Sequence, residues 1–240
     1  MSDTVGNWIR WPGYLAWLFL ALLPLSVIMV RSGSWQQGLL LYALAALLSM
    51  LLLAFMAVQS LLPRFANDRP AIFKRMLPVL PGAVLLVMAM QARDVPPIHD
   101  ITTDTADPPM FEAAPALRGD ESNPLDLDAE VIAQQRAAYP DLATLQSPRS
   151  YATSYNLALT TARKLGWEIT REDPNAGFIE AVDTTAIMQF KDDIVIRVRS
   201  NAEGSLLDLR SVSRVGVSDL GANAKRIRAF MAAFRDAAEA

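Results

Sequence analysis

Asp193–Arg214 reads DIVIRVRSNAEGSLLDLRSVSR, and this stretch decides the fold of the second half of the chain. Two runs of alternating apolar and polar residues flank Asn201-Ala202-Glu203-Gly204, whose composition is that of a turn. Pairing Ser200 with Ser205 sets Val198 against Leu207, Ile196 against Leu209 and Arg197 against Asp208. A slip of one residue would mix the two faces, so the pattern fixes the register. Ile194, Ile196, Val198, Leu207 and Leu209 then form a core face. The opposite face carries Arg197, Arg199, Arg210 and Arg214 together with Phe178, Val182, Met188, Val195, Leu206 and Val212.

Upstream of this hairpin, Trp167–Arg171 and Phe178–Gln189 read as two further strands, joined by the turn residues Asp173-Pro174-Asn175-Ala176-Gly177. Ser147 before Pro148 is a helix-start signal. Tyr151, Tyr155, Ala158, Ala162 and Leu165 recur at helical spacing up to Gly166. A last helix is expected over Asp219–Ala238, with Leu220, Ala224, Ile227, Met231, Phe234 and Ala238 on one stripe. The expected domain, residues 148–240, is α+β: a four-stranded antiparallel sheet with two helices on one face.

Before it lies a segment, residues 94–147, rich in Pro, Asp and Thr. Its prolines forbid long regular elements, apart from one short helix around Leu127–Ala138. It is expected to run extended over the folded domain or to link it to what precedes.

The first 93 residues are of another kind. They hold 7 of the 22 Lys and Arg but only 2 of the 25 Asp and Glu, whereas the remainder carries a net charge of −8. Trp11–Val30 and Ser32–Pro63 are uncharged runs of 20 and 32 residues, and Met76–Ala92 is a third of 17. About 20 apolar residues cross a bilayer, so three transmembrane helices are expected. The last is short and carries Pro78, Pro81 and Gly82, so it is expected to kink or to thin the bilayer locally, the alternative being a buried soluble helix. The first run has neither an Ala-x-Ala site nor a clean exit past Arg31, which argues against a cleaved signal. Arg64, Arg69, Lys74 and Arg75 crowd the second loop and only Arg31 the first, so the N-terminus is expected inside and residues 94–240 outside. Trp8, Trp11 and Trp35 fall near the expected boundaries. No ionisable residue lies within a run, which favours an anchor over a conduit. Ala45 and Ser49 have the spacing of a helix-packing face.

The composition excludes several functions. With no cysteine, disulfides, thiol nucleophiles and cysteine-ligated metals are absent. The single histidine, His99, lies near Asp100 and Asp104. These three could ligate a divalent metal, but the same residues beside Pro108-Pro109 are ordinary turn chemistry, and no metal or other cofactor is expected. A serine hydrolase would need Ser211, Ser213 or Ser218 beside a base, and no nucleophile elbow exists. Glu180 and Asp208 lie in no cleft motif that would suit a glycosidase. Catalysis is not indicated. Ser218 and Asp219, before the last helix, either cap it or share an anion with Arg210, Arg214, Lys225 and Arg226.

Pro96-Pro97-Ile98-His99-Asp100-Ile101-Thr102-Thr103-Asp104, Asp192-Asp193 and Arg210-Ser211-Val212-Ser213-Arg214-Val215-Gly216, followed by Ser218-Asp219-Leu220-Gly221 and Asn223, carry a resemblance. Over roughly Val95–Phe234 the chain resembles the bacterial domain-of-unknown-function family numbered fourteen ninety-nine, here in a membrane-anchored variant. Many relatives open the domain with a cysteine-containing stretch that this sequence lacks. The resemblance implies a domain boundary and no activity.

Two readings of the arginine face remain open. In one, residues 94–148 cover it and their acids pair with the guanidiniums. In the other, Arg197, Arg199, Arg210, Arg214 and Ser218 bind an anion or a partner. The expected function is a non-catalytic recognition or assembly module of the bacterial envelope, anchored in the inner membrane with its C-terminal domain in the periplasm. The alternative is an enzyme holding an anionic envelope substrate on those arginines. Expected partners are the lipid bilayer and either another envelope protein or an anionic ligand, with no nucleic acid.

Overall fold

The computed structural model describes residues 6–91 and 95–239. The chain forms two compact units, the first made of residues 1–93 with Ile187–Gln189 and the second of the remainder.

The first unit is helical. α1 (Asn7–Arg31) and α2 (Trp35–Leu61) form a hairpin closed by Gly33, whose φ of 98° is open to glycine at no steric cost. After a 3₁₀ turn at Pro63–Asp68 come α3 (Arg69–Met76), a second 3₁₀ turn at Leu77–Val79, and α4 (Leu80–Gln91). The third helical stretch therefore begins well before the expected Met76. The break at Leu77–Val79 coincides with Pro78, which cannot donate a helical hydrogen bond. Ala92, the expected end of the run, lies outside the described residues. Three helical stretches, Asn7–Arg31, Trp35–Leu61 and Pro63–Met90, are long and apolar enough to cross a membrane. Ala45 and Ser49 are buried, and a Cβ at Gly82 of α4 would collide with the Ser49 side chain. Small residues thus let α4 approach α2 closely. Leu18, Leu25 and Ile28 of α1 and Leu40, Leu51 and Val58 of α2 are exposed, as lipid-facing side chains are.

The second unit is a six-stranded antiparallel sheet, not a four-stranded one, with two long helices on one face. The expected strands appear as β3 (Glu168–Asp173), β4 (Phe178–Thr184), β5 (Lys191–Asn201) and β6 (Gly204–Ser213). The Pro-rich segment adds β1 (Asp100–Thr102) and β2 (Leu145–Ser147), both paired with β6, giving the order β1-β6-β5-β4-β3 with β2 also on β6. Strands of three residues leave no readable alternation, which is why composition alone suggested an irregular segment. The same segment forms the short α5 (Ala114–Leu117) and α6 (Ala129–Ala138).

The β5–β6 register is as the alternation requires: Ser200 opposite Ser205, Val198 opposite Leu207, Ile196 opposite Leu209 and Arg197 opposite Asp208. β4 ends at Thr184, five residues short of the expected Gln189. Thr185 and Phe190 close the connection with two hydrogen bonds, so Met188 leaves the sheet face assigned to it. α7 (Tyr151–Lys164) starts three residues later than the Ser147-Pro148 signal. Ser147 is occupied in β2, and Ser150 is the residue whose hydroxyl accepts the amide of Thr153. α8 (Ala222–Glu239) completes the unit. Ile194, Ile196, Val198, Leu207 and Leu209 pack with Tyr155, Ala158 and Ala162 of α7 and Ile227, Phe230 and Phe234 of α8 in one core. Burying each large apolar side chain contributes about 1.5–3 kcal/mol.

Candidate functional site

Strand alternation sends Arg197, Arg199, Asp208 and Arg210 to the face away from α7 and α8. Asp193, Val195, Glu180 and Phe178 follow by the observed pairing. The residues between β1 and β2 run over this face as a strap. Phe111, Ala114 and the half-buried Leu125 of the strap pack on Val195, Val212 and Phe178, which explains why a charged face carries apolar residues.

Arg210 is fully buried. Its Nε and Nη2 donate to the two oxygens of Asp100 at 3.0 and 2.7 Å, and Nη2 also donates to the carbonyl of Leu125 at 2.6 Å. Its guanidinium carbon lies 5.4 Å from the centre of the Phe111 ring. Such a planar fork matched to a carboxylate is the strongest ion pair available to a side chain. Arg197 donates to Asp107 at 2.8 Å, Asp104 at 3.1 Å and Asp208 at 3.2 Å, and to the Asp107 carbonyl at 2.7 Å. Arg199, at the open rim, shares Asp208 and Asp104. Asp208 is fully buried and also accepts the hydroxyls of Thr103 and Thr144, one from each end of the strap. Arg214 grips Asp193 with two nitrogens and donates to the Leu117 carbonyl, while Arg118 of the strap donates to the same Asp193 at 2.6 Å.

Two further contacts hold the strap through its backbone. Glu180, 1 % exposed, accepts the amides of Glu112, Ala113 and Ala114 at 2.8–3.0 Å. The Gln135 amide makes both bonds to the backbone of Thr102, as an added strand would. Partial burial opposes the charge of Asp104. The amides of Asp107 and Ala106 and the guanidiniums of Arg197 and Arg199 outweigh it, holding this carboxyl below its ordinary range.

Under α8 lies a second polar cluster. Ser211 and Ser213 point there, since they alternate with Arg210 and Val212. Arg226 donates to Asp192, Asp183 and Ser211, and Asn223 bridges Ser213 to the carbonyl of His99. Asp219 caps α8 by accepting the amides of Gly221 and Asn223, while Ser218 accepts only that of Leu220. The helix N-terminus is therefore filled by the chain's own carboxylate. Burial, reinforced by Asp192, raises the Asp219 carboxyl above its ordinary range.

The structure thus brings Arg197, Arg199 and Asp104 together, and Arg210 with Asp100. It places Arg214 beside Asp193 and leaves Ser218 apart from all of them. The His99 ring joins neither arginine group and faces the Val217 carbonyl at 3.4 Å, while its backbone carbonyl accepts from Asn223. Among the described residues no three His, Asp or Glu side chains are grouped to hold a metal ion. Sequence reasoning missed the division of Asp192 and Asp193 between the two faces. The register already implied it, because adjacent strand residues point oppositely. It also gave Asp208 one arginine, where two share it, and overlooked Arg118 and Gln135, which no local pattern marks.

The sequence model of the family described as "Protein of unknown function (DUF1499)" matches residues 100–234, from β1 into α8. The chain belongs to this family. Among curated proteins nothing matches the chain.

Proposed function

We propose that this family member is a non-catalytic recognition or assembly module of the bacterial envelope. In this reading three helices anchor it in the inner membrane, with the N-terminus in the cytoplasm and the α+β unit in the periplasm. The observation that carries the non-catalytic reading is the closure of the arginine face. Arg210 has its fork filled by Asp100 and the Leu125 carbonyl, and Arg197 and Arg214 are held by carboxylates of the same chain. An anionic substrate would first have to displace a strap fixed by ion pairs and by the Glu180 carboxylate. The orientation is supported by Arg64, Arg69, Lys74 and Arg75, which all lie in the connection between α2 and α4.

The test uses the full chain in membranes. Photo-crosslinkers placed at exposed positions of the α+β unit should join it to a discrete partner or a second copy. Phosphate and polyanionic glycans should leave its melting temperature unchanged. A rise of several degrees with such an anion, abolished in Arg210→Gln, would instead establish the substrate-binding alternative. A fusion reporter at Ala240 should behave as exported and one in the 63–74 connection as cytoplasmic, and the reverse pattern would overturn the orientation.

A further inference from the structure

The first unit contains a cavity of about 340 Å³ lined by Arg10, Gly13, Tyr14, Trp17, Lys74 and Arg75. The four α1 positions are spaced three and four apart, so they share one helix face, and the two remaining cations come from the last turn of α3. The Arg75 stem lies across Gly13, where an added Cβ would come within 2.8 Å of its Cδ. Glycine at this point lets the arginine reach the cavity. Arg10 touches the Tyr14 hydroxyl at 3.4 Å, and Arg75 donates to the carbonyl of Ala71 at 3.1 Å. Among the described residues of this unit the only acid is Asp68, which is not in the lining, and no carboxylate pairs with Arg10, Lys74 or Arg75. Three cations facing one cavity with no counter-charge among the described residues contrast with the second unit, where the buried guanidiniums are answered by carboxylates.

The position identifies the anion. Arg10 to Trp17 spans roughly 10 Å of helix, the depth over which a leaflet passes from headgroup to acyl chain. Trp8, Trp11, Tyr14 and Trp17 are all largely exposed there, as interfacial aromatics are. A soluble anion would meet an apolar rim, whereas a phospholipid satisfies the cations with its phosphate and the aromatics with its glycerol and upper acyl region. The geometry points to a binding site for the phosphate of an anionic phospholipid in the leaflet where α1 begins. This inference rests on the membrane-spanning reading of the three helices.

The full chain, solubilised with equal phosphatidylglycerol and phosphatidylcholine, should retain phosphatidylglycerol selectively in native mass spectrometry. Arg10→Gln, Lys74→Gln and Arg75→Gln should each lower that retention about five-fold. Arg64→Gln removes one charge from the same connection outside the cavity and should leave retention unchanged. Gly13→Ala displaces the Arg75 stem without altering charge and should weaken retention as Arg75→Gln does. Equal retention of the two lipids would overturn the site, as would a loss in Arg64→Gln matching that in Lys74→Gln. Displacement of the lipid by millimolar inorganic phosphate would make the cavity a soluble-phosphate site and overturn the lipid assignment. Alkaline carbonate extraction reports insertion separately. A chain that stays in the membrane yet ignores headgroup charge defeats this inference and spares the anchor.

Discussion

The two faces of the sheet are sealed by different physics although one hairpin builds both. On the helix side, Ile194, Ile196, Val198, Leu207 and Leu209 meet α7 and α8 through apolar packing, with one polar cluster at the edge around Arg226. On the strap side a small apolar patch around Val195 and Val212 is outweighed by ion pairs and by carboxylates that accept backbone amides. Packing of the first kind is insensitive to salt and proton concentration. The second kind depends on every charge keeping its partner, because a buried charge left alone costs far more than its pair contributes. The helix side should therefore set global stability, and the strap side should open locally.

The largest effect is expected on the helix side. Phe230→Ala removes a fully buried ring stacked between Trp167 and Phe234 and should cost about 3–5 kcal/mol, read as a fall in the denaturation midpoint of the whole unit. Local proteolysis without a lower midpoint would break the comparison.

Asp100→Asn comes next. It strands the Arg210 guanidinium in a fully buried position, with an expected cost of about 3–5 kcal/mol. Here protease sites in residues 104–125 should open before the sheet melts. Pairing it with Arg210→Met should recover much of the loss, since an apolar pair leaves no orphan charge. Failure of that rescue would mean that the ion pair itself, and not its desolvation, holds the strap.

Glu180→Gln leaves one acceptor oxygen for three amides and adds a misplaced donor. A cost of about 1–3 kcal/mol is expected, seen as faster hydrogen exchange at Glu112, Ala113 and Ala114.

Acid should separate the faces without mutation. The carboxyl of Asp104 is depressed in the folded state, so its stabilising contribution is complete above the unfolded value near pH 3.9 and is lost as pH falls through the folded value. Asp219, raised by burial and by Asp192, has the opposite sign, and its protonation favours the fold as pH falls. Exchange in the 104–109 region should therefore accelerate in acid while the α8 N-terminus stays protected. Simultaneous loosening of both would remove the distinction. The exposed Arg228–Asp141 pair is the smallest case, and Asp141→Asn should change stability by about 0–1 kcal/mol.

Periodicity carried much of this architecture. The three long apolar runs, the β5–β6 register and the stripe of Ala224, Ile227, Met231 and Phe234 on α8 are properties of spacing, and spacing is local. The sequence alone also placed four arginines on one face and supplied the acids of residues 94–148 to answer them. It did not reveal which acid meets which arginine. That choice depends on where β1 and β2 dock, and strands of three residues are stabilised by the free edge of β6 more than by their own composition. Nor did it reveal that a glycine in α1 lets Arg75 cross to a cavity, because Gly13 and Arg75 lie 62 positions apart. Long-range pairing of charges is decided only when the backbone has fixed their distances, since a carboxylate and a guanidinium bind firmly in one geometry and weakly in most others.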